Sequence, residues 1–246
     1  MIKKILVSQP RPQSDRNPYA DLEKRYGVQC DFQQLISIEG LNAHEFRQQR
    51  INPLDYTAVL FNSRLAIDHF FRLCEEMRLS IPDTMHYYCI SEAVGNYLQK
   101  YIQYRKRKVF FSENNRFEDL LPAMNRRPQE KYMMVLSEAH TSDVINMFAG
   151  HKITIQPAVM YRTIPATWPK EQPFDYDIVA LFTPIGVAAI QKNFPKLKPD
   201  QCHFACFGAN TQQALINAGY KAEIVAPTPE CPSIPTAIAN YLEQNA

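Results

Sequence analysis

Glycine is scarce in this chain. Seven glycines in 246 residues leave few places where a backbone could approach a pyrophosphate closely. The fingerprints that use such places are missing too. No Gly-x-Gly-x-x-Gly follows the first apolar segment, and no Gly-Lys-Ser/Thr loop occurs. Ser63 and Ser91 lack the Gly-x-Ser-x-Gly elbow of a nucleophilic serine. The six cysteines, at 30, 74, 89, 202, 206 and 231, form no Cys-x-x-Cys pair. Three of them stand in strand-like apolar runs, where a free thiol behaves as a small hydrophobe. Cys202, His203 and Cys206 fall along one strand whose alternate residues point opposite ways, so they read as core residues, not as metal ligands. A reduced, cytoplasmic protein without metal or cofactor is the simplest account.

Charge of one sign is also lacking. A net charge of +2 implies no polyanionic partner. The single basic run, Tyr104-Arg-Lys-Arg-Lys108, has no second run or aromatic interleaving beside it and reads as a solvated helix terminus, so no nucleic-acid partner is expected. The apolar runs, such as Ile178 to Phe182, are far short of the roughly 20 residues of a membrane span. The apolar stretch of Met1 to Ser8 is too short for a secretory signal and reads as a first buried strand. No membrane association is expected.

What the chain does have is a repeated unit. Ala58-Val-Leu-Phe-Asn-Ser63 leads into a helical pattern from Arg64, and Val179-Ala-Leu-Phe-Thr-Pro184 leads into one from Ile185. Each is followed by a second such unit, His86 to Leu98 and His203 to Leu215, at a nearly equal offset. Apolar runs at Ile5–Ser8, 58–62, 86–90, 109–112, 133–137, 153–161, 178–183, 203–208 and 222–226 alternate with 3.6-residue periods at 65–77, 92–101, 117–124, 141–148, 186–194, 211–218 and 234–243. Continuous apolar strands separated by helices predict parallel sheets covered on both faces. The fold class expected is α/β, with two similar parallel-sheet lobes. Two extended stretches, Gln29 to Glu39 and the proline-rich Pro157 to Pro173, mark the crossings. They place residues 1–35 and 165–246 in a discontinuous first lobe, and 36–164 in an inserted second lobe that includes two linker strands.

Ligands of open parallel sheets bind beyond the carboxyl ends of the strands. That rule singles out Asn62, Ser63, Ser91, Thr183 and the segment Gly208 to Thr211. Their backbone N–H groups, with helix dipoles behind them, suit carboxylates or phosphates. Taken singly, the same residues are ordinary N-caps. The recurrence of such turns in two lobes is what points to an acidic small molecule. Among the six histidines, His140, after the strand ending at Ser137, is the best placed to titrate, and it reads as a turn residue.

With Ala158-Val-Met-Tyr161-Arg-Thr163 in view, the pattern resembles the uroporphyrinogen-III synthase family. The matching segments are Ile5-Leu-Val-Ser8 followed by Pro and Arg, Phe61-Asn-Ser63, Met160-Tyr-Arg-Thr163, Phe182-Thr-Pro-Ile-Gly186, and Gly208-Ala-Asn-Thr211-Gln-Gln-Ala-Leu215. Ala218-Gly-Tyr220 and Pro227-Thr-Pro-Glu230 continue the match, which covers nearly the whole chain.

The resemblance implies a bilobal lyase that cyclises the linear tetrapyrrole hydroxymethylbilane with loss of water and inversion of the last pyrrole ring; the low glycine count and proline-rich crossings are compatible with a monomer. No cofactor or metal is implied. Carried over residue by residue, Tyr161 matches the tyrosine that assists departure of the substrate hydroxyl. Ser63, Thr183 and Thr211 match hydroxyl residues of the turns, and Asn62, Ser91, Gly186 and Gly208 complete the expected binding set. Two positions depart from the pattern. Ser91-Glu-Ala-Val94 stands where Gly-x-x-Thr is common, so a hydroxyl is absent and Glu92 adds negative charge; Asn62 replaces a Thr but can still cap and donate. The first departure motivates a competing class, a non-catalytic two-lobed protein that binds tetrapyrroles without turning them over.

Overall fold

The structure is a computed structural model and describes residues 2–12 and 17–245; Met1 and Ala246, the outermost residues of the expected lobes, lie outside it. In chain order the elements are β1 (Lys4–Val7), α1 (Pro18–Tyr26), β2 (Gln29–Phe32), β3 (Ile36–Gly40), α2 (Ala43–Arg47), β4 (Ala58–Phe61), α3 (Arg64–Glu76), β5 (His86–Cys89), α4 (Glu92–Tyr97), β6 (Val109–Phe111), α5 (Leu121–Asn125), β7 (Tyr132–Ser137), α6 (Asp143–Gly150), β8 (Ile155–Pro165), β9 (Ile178–Leu181), α7 (Pro184–Asn193), β10 (His203–Phe207), α8 (Ala209–Asn217), β11 (Ala222–Ala226) and α9 (Ile234–Gln244). They group into two compact units, Met1–Ser37 with Ile164–Ala246, and Ile38–Thr163. These are called unit 1 and unit 2 below.

Unit 1 carries a five-stranded sheet in the order β11-β10-β9-β1-β2, with every pair parallel. β1 and β9 are fully apolar over Ile5–Val7 and Ile178–Leu181 because each is covered on both faces. One face packs on α1 and α9 through Ile5, Leu22, Ile238 and Leu242. The other packs on α7 and α8 through Leu6, Val187, Ile190 and Leu215.

Unit 2 carries a six-stranded sheet in the order β3-β8-β7-β4-β5-β6, parallel from β8 through β6. Its longest helix, α3, buries Ala66, Ile67, Phe70, Leu73 and Cys74. That 3–4 spacing makes one apolar stripe against Val59 and Phe61 of the sheet. The opposite face is closed by Leu120, Met124 and Phe148.

Several elements differ from those read in the sequence. The stretch Gln29 to Glu39 is not a bare extended link. β2 pairs with β1 from Lys4↔Gln29 to Val7↔Phe32, and β3 flanks β8. The helix expected over 92–101 stops at Tyr97 and tightens into a 3-10 turn over Leu98–Lys100. That expected over 117–124 begins as a 3-10 turn, Phe117–Leu120, before α5 with its early Pro122. The basic run is not at a helix terminus. It forms a separate 3-10 turn, Lys106–Lys108, leading into β6, with Lys106 and Arg107 exposed.

Candidate active site

In unit 2 the carboxyl ends of β4, β5 and β7 bring the chain to its polar turns. Ser63 leaves β4 with extended backbone and caps α3, its Oγ accepting from the Ala66 N–H at 3.1 Å. The Ser63 hydroxyl also donates to Asn62 Oδ1 at 3.2 Å, and Asn62 itself is exposed. Ser91 caps α4 by accepting from the Val94 N–H at 3.4 Å. Ser63 and Ser91 act as the caps their composition suggests, which leaves the remaining first-turn N–H groups as the available donors; Asn62 caps no helix, because Ser63 takes that place and Asn62 only accepts the Ser63 hydroxyl.

Tyr161 reaches the same edge by pairing. β8 runs alongside β7 to Leu136↔Val159, slips one residue, and sets Tyr161 opposite Ser137. Its carbonyl then accepts from the Glu138 N–H at 2.9 Å. The side chain is only 6 % exposed. Burial pushes its pKa above the usual phenol value, while the nearby Ser63 side chain pulls it back in part. At neutral pH the phenol therefore holds its proton and can donate a hydrogen bond. The structure thus brings Tyr161 and Ser63 together.

Two residues beside Tyr161 went unremarked in the sequence. The His69 ring stacks on the Tyr161 ring, with centroids 5.0 Å apart and planes 15° from parallel. A Cβ added to Gly40 would lie 2.7 Å from both His69 Nδ1 and Arg72 Nη2. The helical spacing 66, 69, 70, 73 does put His69 on the core side of α3, but nothing in its own segment reveals a partner far along the chain at Tyr161.

In unit 1, Thr183 caps α7 by accepting from the Gly186 N–H at 3.1 Å, with Pro184 opening the helix. A Cβ on Gly186 would lie 3.6 Å from Thr183 Oγ1 and 4.0 Å from Ser8 Oγ, so the end of β1 stands beside this turn. A hollow of about 420 Å³ opens there, lined by Ser8, Gln34, Ile36, Phe182, Thr183 and Gly186. Next to it, β10 ends at Phe207, 39 % exposed, whose ring stacks on Phe182 at 6.4 Å. Gly208 then starts α8 with φ +85° and ψ 151°, a conformation nearly confined to glycine. Its N–H donates to the Ala226 carbonyl at 2.6 Å. Thr211, the third helical residue, is 2 % exposed.

Two hollows of about 460 and 510 Å³ in unit 2 lie by Met85 and Tyr87, and by Tyr132 and Gln156. These mark the amino ends of the strands, the end opposite the ligand edge of a parallel sheet, so strand polarity and not size selects the site. His140 is exposed in a turn with Nδ1 2.9 Å from the Ser137 carbonyl oxygen. Among the described residues no group of three His, Cys, Asp or Glu could hold a metal ion, and no helix is long and apolar enough to cross a membrane. Cys202 and Cys206 are buried, as core residues should be. His203 instead sits half-buried, with Nδ1 against Glu223 and 3.1 Å from the Tyr241 hydroxyl.

A search of curated proteins finds no match to the sequence. Among solved structures, the uroporphyrinogen-III synthetase of Helicobacter pylori 26695 is similar over 99 % of this chain and 100 % of that one, at 15 % identity and a TM-score of 0.53. Uroporphyrinogen III synthase of Thermus thermophilus aligns over the same shares at 14 % identity, with a TM-score of 0.42. Identity this low speaks for fold, and the Helicobacter likeness supports an α/β protein of two parallel sheets. The family profile described as uroporphyrinogen-III synthase HemD matches residues 17–234, from the cap of α1 to the first residue of α9. The chain therefore belongs to the uroporphyrinogen-III synthase family, the cyclising lyases of tetrapyrrole biosynthesis.

Proposed function

We propose that Tyr161 is the catalytic acid through which this chain closes hydroxymethylbilane to uroporphyrinogen III. The family profile carries the reaction, and the single observation that supports the residue is the buried phenol beside Ser63 at the carboxyl edge of unit 2. The Tyr161 proton joins the substrate hydroxyl as its C–O bond breaks, and water leaves. The electron pair of the terminal pyrrole fills the vacancy, and the last ring is attacked at the carbon that already bears its bridge. After that bridge migrates, the ring carbon loses a proton, which restores the phenol. Hydrogen and oxygen balance as one water lost.

The linear substrate closes without help to the uninverted isomer, so holding it matters more than acid strength. Asn62, Ser63 and Ser91 in unit 2, and Thr183, Gly186, Gly208 and Thr211 in unit 1, form the turns proposed to hold it. The helix amino termini behind them, except that of the short α4 with its Glu92, suit the substrate's carboxylates. The protein acts as a cytoplasmic monomer on this small molecule, with no nucleic-acid or membrane partner and without cofactor or metal.

A coupled assay with freshly made hydroxymethylbilane, resolving uroporphyrinogen isomers after oxidation, tests the reading. Type III product in excess of type I is expected, and type I alone at every enzyme concentration refutes the activity. Tyr161→Phe should lower the type III rate by at least about tenfold with circular dichroism unchanged. Because the phenol pKa is raised, wild-type activity should show no fall from phenol ionisation below about pH 10.

A further inference from the structure

His69 is held in place from two directions. One ring face lies on the Tyr161 ring, nearly parallel at 5.0 Å. One ring edge, carrying Nδ1, lies against Gly40, where even a methyl group would come within 2.7 Å. Arg72, one turn farther along α3, closes the same space. It donates to the Leu41 carbonyl at 2.6 Å and pairs with Glu76 at 2.9 Å, which ties the chain after β3 to the helix. His69 Nδ1 is buried and has no hydrogen-bond partner among the described residues.

An unpartnered ring nitrogen in such a place is costly. The lesser cost is an imidazole with a bare Nδ1 and its proton on Nε2, since a buried N–H without an acceptor would be worse. Charging the ring would add a cation beside Arg72. Both burial and Arg72 lower the histidine pKa, against a smaller opposing effect of Asp68. A neutral aromatic ring is what remains, and neutral rings stack well on a phenol.

We propose that His69 is a positioning residue for Tyr161: its ring fixes the rotation of the phenol so that the hydroxyl stays beside Ser63, and Gly40 is glycine because no larger residue leaves the imidazole its place. This rests on the role proposed for Tyr161. Misplacing a reacting group by about 1 Å can cost on the order of 100-fold in rate, so a stacking partner without a hand in the chemistry still controls it.

Kinetics of five variants test the device. His69→Ala should lower kcat for type III product about tenfold with KM nearly unchanged, and His69→Phe, which keeps a stacking ring, should recover most of that loss. In a Tyr161→Phe background, His69→Ala should cost less than about twofold, because the group it positions is already gone. Gly40→Ala, which acts from β3, should reproduce the kcat deficit of His69→Ala. Equal losses from His69→Ala in both backgrounds, or His69→Phe as poor as His69→Ala, would overturn the positioning role; wild-type kinetics for Gly40→Ala would overturn the part given to glycine. Should His69→Ala fail to fold, His69→Phe and Gly40→Ala decide by the same readouts. Wild-type activity of Tyr161→Phe alone would instead remove the tyrosine assignment itself.

Discussion

The two units present the same kind of edge with different equipment. In unit 1, α7 and α8 run for ten and nine residues, and neither has an acidic residue in its first turn. In unit 2, α3 runs for thirteen residues without one, but α4 has only six and begins with Glu92, which is exposed. A short helix opening on a carboxylate is a poor place for another carboxylate. The absent hydroxyl at Val94 is a different matter. Val94 and Thr211 are each the third residue of their helix, and both are buried, 8 % and 2 % exposed. The Thr-to-Val departure therefore concerns packing within unit 2. Charge at Glu92, not the lost hydroxyl, separates the edges, and the proposed division follows: unit 1 mainly holds carboxylates, while unit 2 supplies the acid.

Four substitutions sharpen or break this comparison. The largest effect should come from Gly208→Ala. Open space surrounds the position, but its backbone conformation costs an alanine about 2 kcal/mol, to be read as a lowered urea midpoint; an unchanged midpoint would mean that the turn relaxes. Next come Ser63→Ala and Thr183→Ala, which remove matching caps and should each cost about 1 kcal/mol. Ser63→Ala should also lower kcat for type III formation severalfold, because Tyr161 has its neighbour there, whereas Thr183→Ala, in a turn proposed to hold the substrate, should act on KM. Equal lowering of kcat by the two would erase the division between units. The smallest effect is expected at the buried pair. Val94→Thr should destabilise by roughly 1 kcal/mol or less without improving substrate KM, whereas a lowered KM would return the hydroxyl to the binding edge.

How far the sequence could be read depended on burial. β7 and β9 stood out because burial on both faces makes their sequences continuously apolar. β2 and β3 did not: they are outermost in their sheets, as β6 and β11 are, but a smaller share of their residues is buried. Burial patterns of one core residue in four for β2 and none in five for β3 give neither a run nor an alternation. Caps such as Ser63, Ser91 and Thr183 were legible from local chemistry, since their hydrogen bonds close within three residues. The surroundings of Tyr161 were not. They depend on His69 and Ser63, contacts that the strand order creates and no local pattern announces. Thr211 shows the limit of resemblance alone, which names the residue but says nothing of its burial.

Unit 1 is interrupted by all of unit 2, and this gives its assembly an order in time. β1 lies inside its sheet, between β2 and β9, with Ile5 paired to Ile178. During synthesis β1 and β2 leave the ribosome before unit 2, yet β9 follows only after the whole of it. At about 5–20 residues per second that delay is on the order of ten to thirty seconds. Unit 2, contiguous in the chain, can complete itself meanwhile. Over that interval Ile5, Leu6 and Val7 form an unpaired apolar edge, and the nascent chain must be kept from pairing with its neighbours until its own β9 arrives.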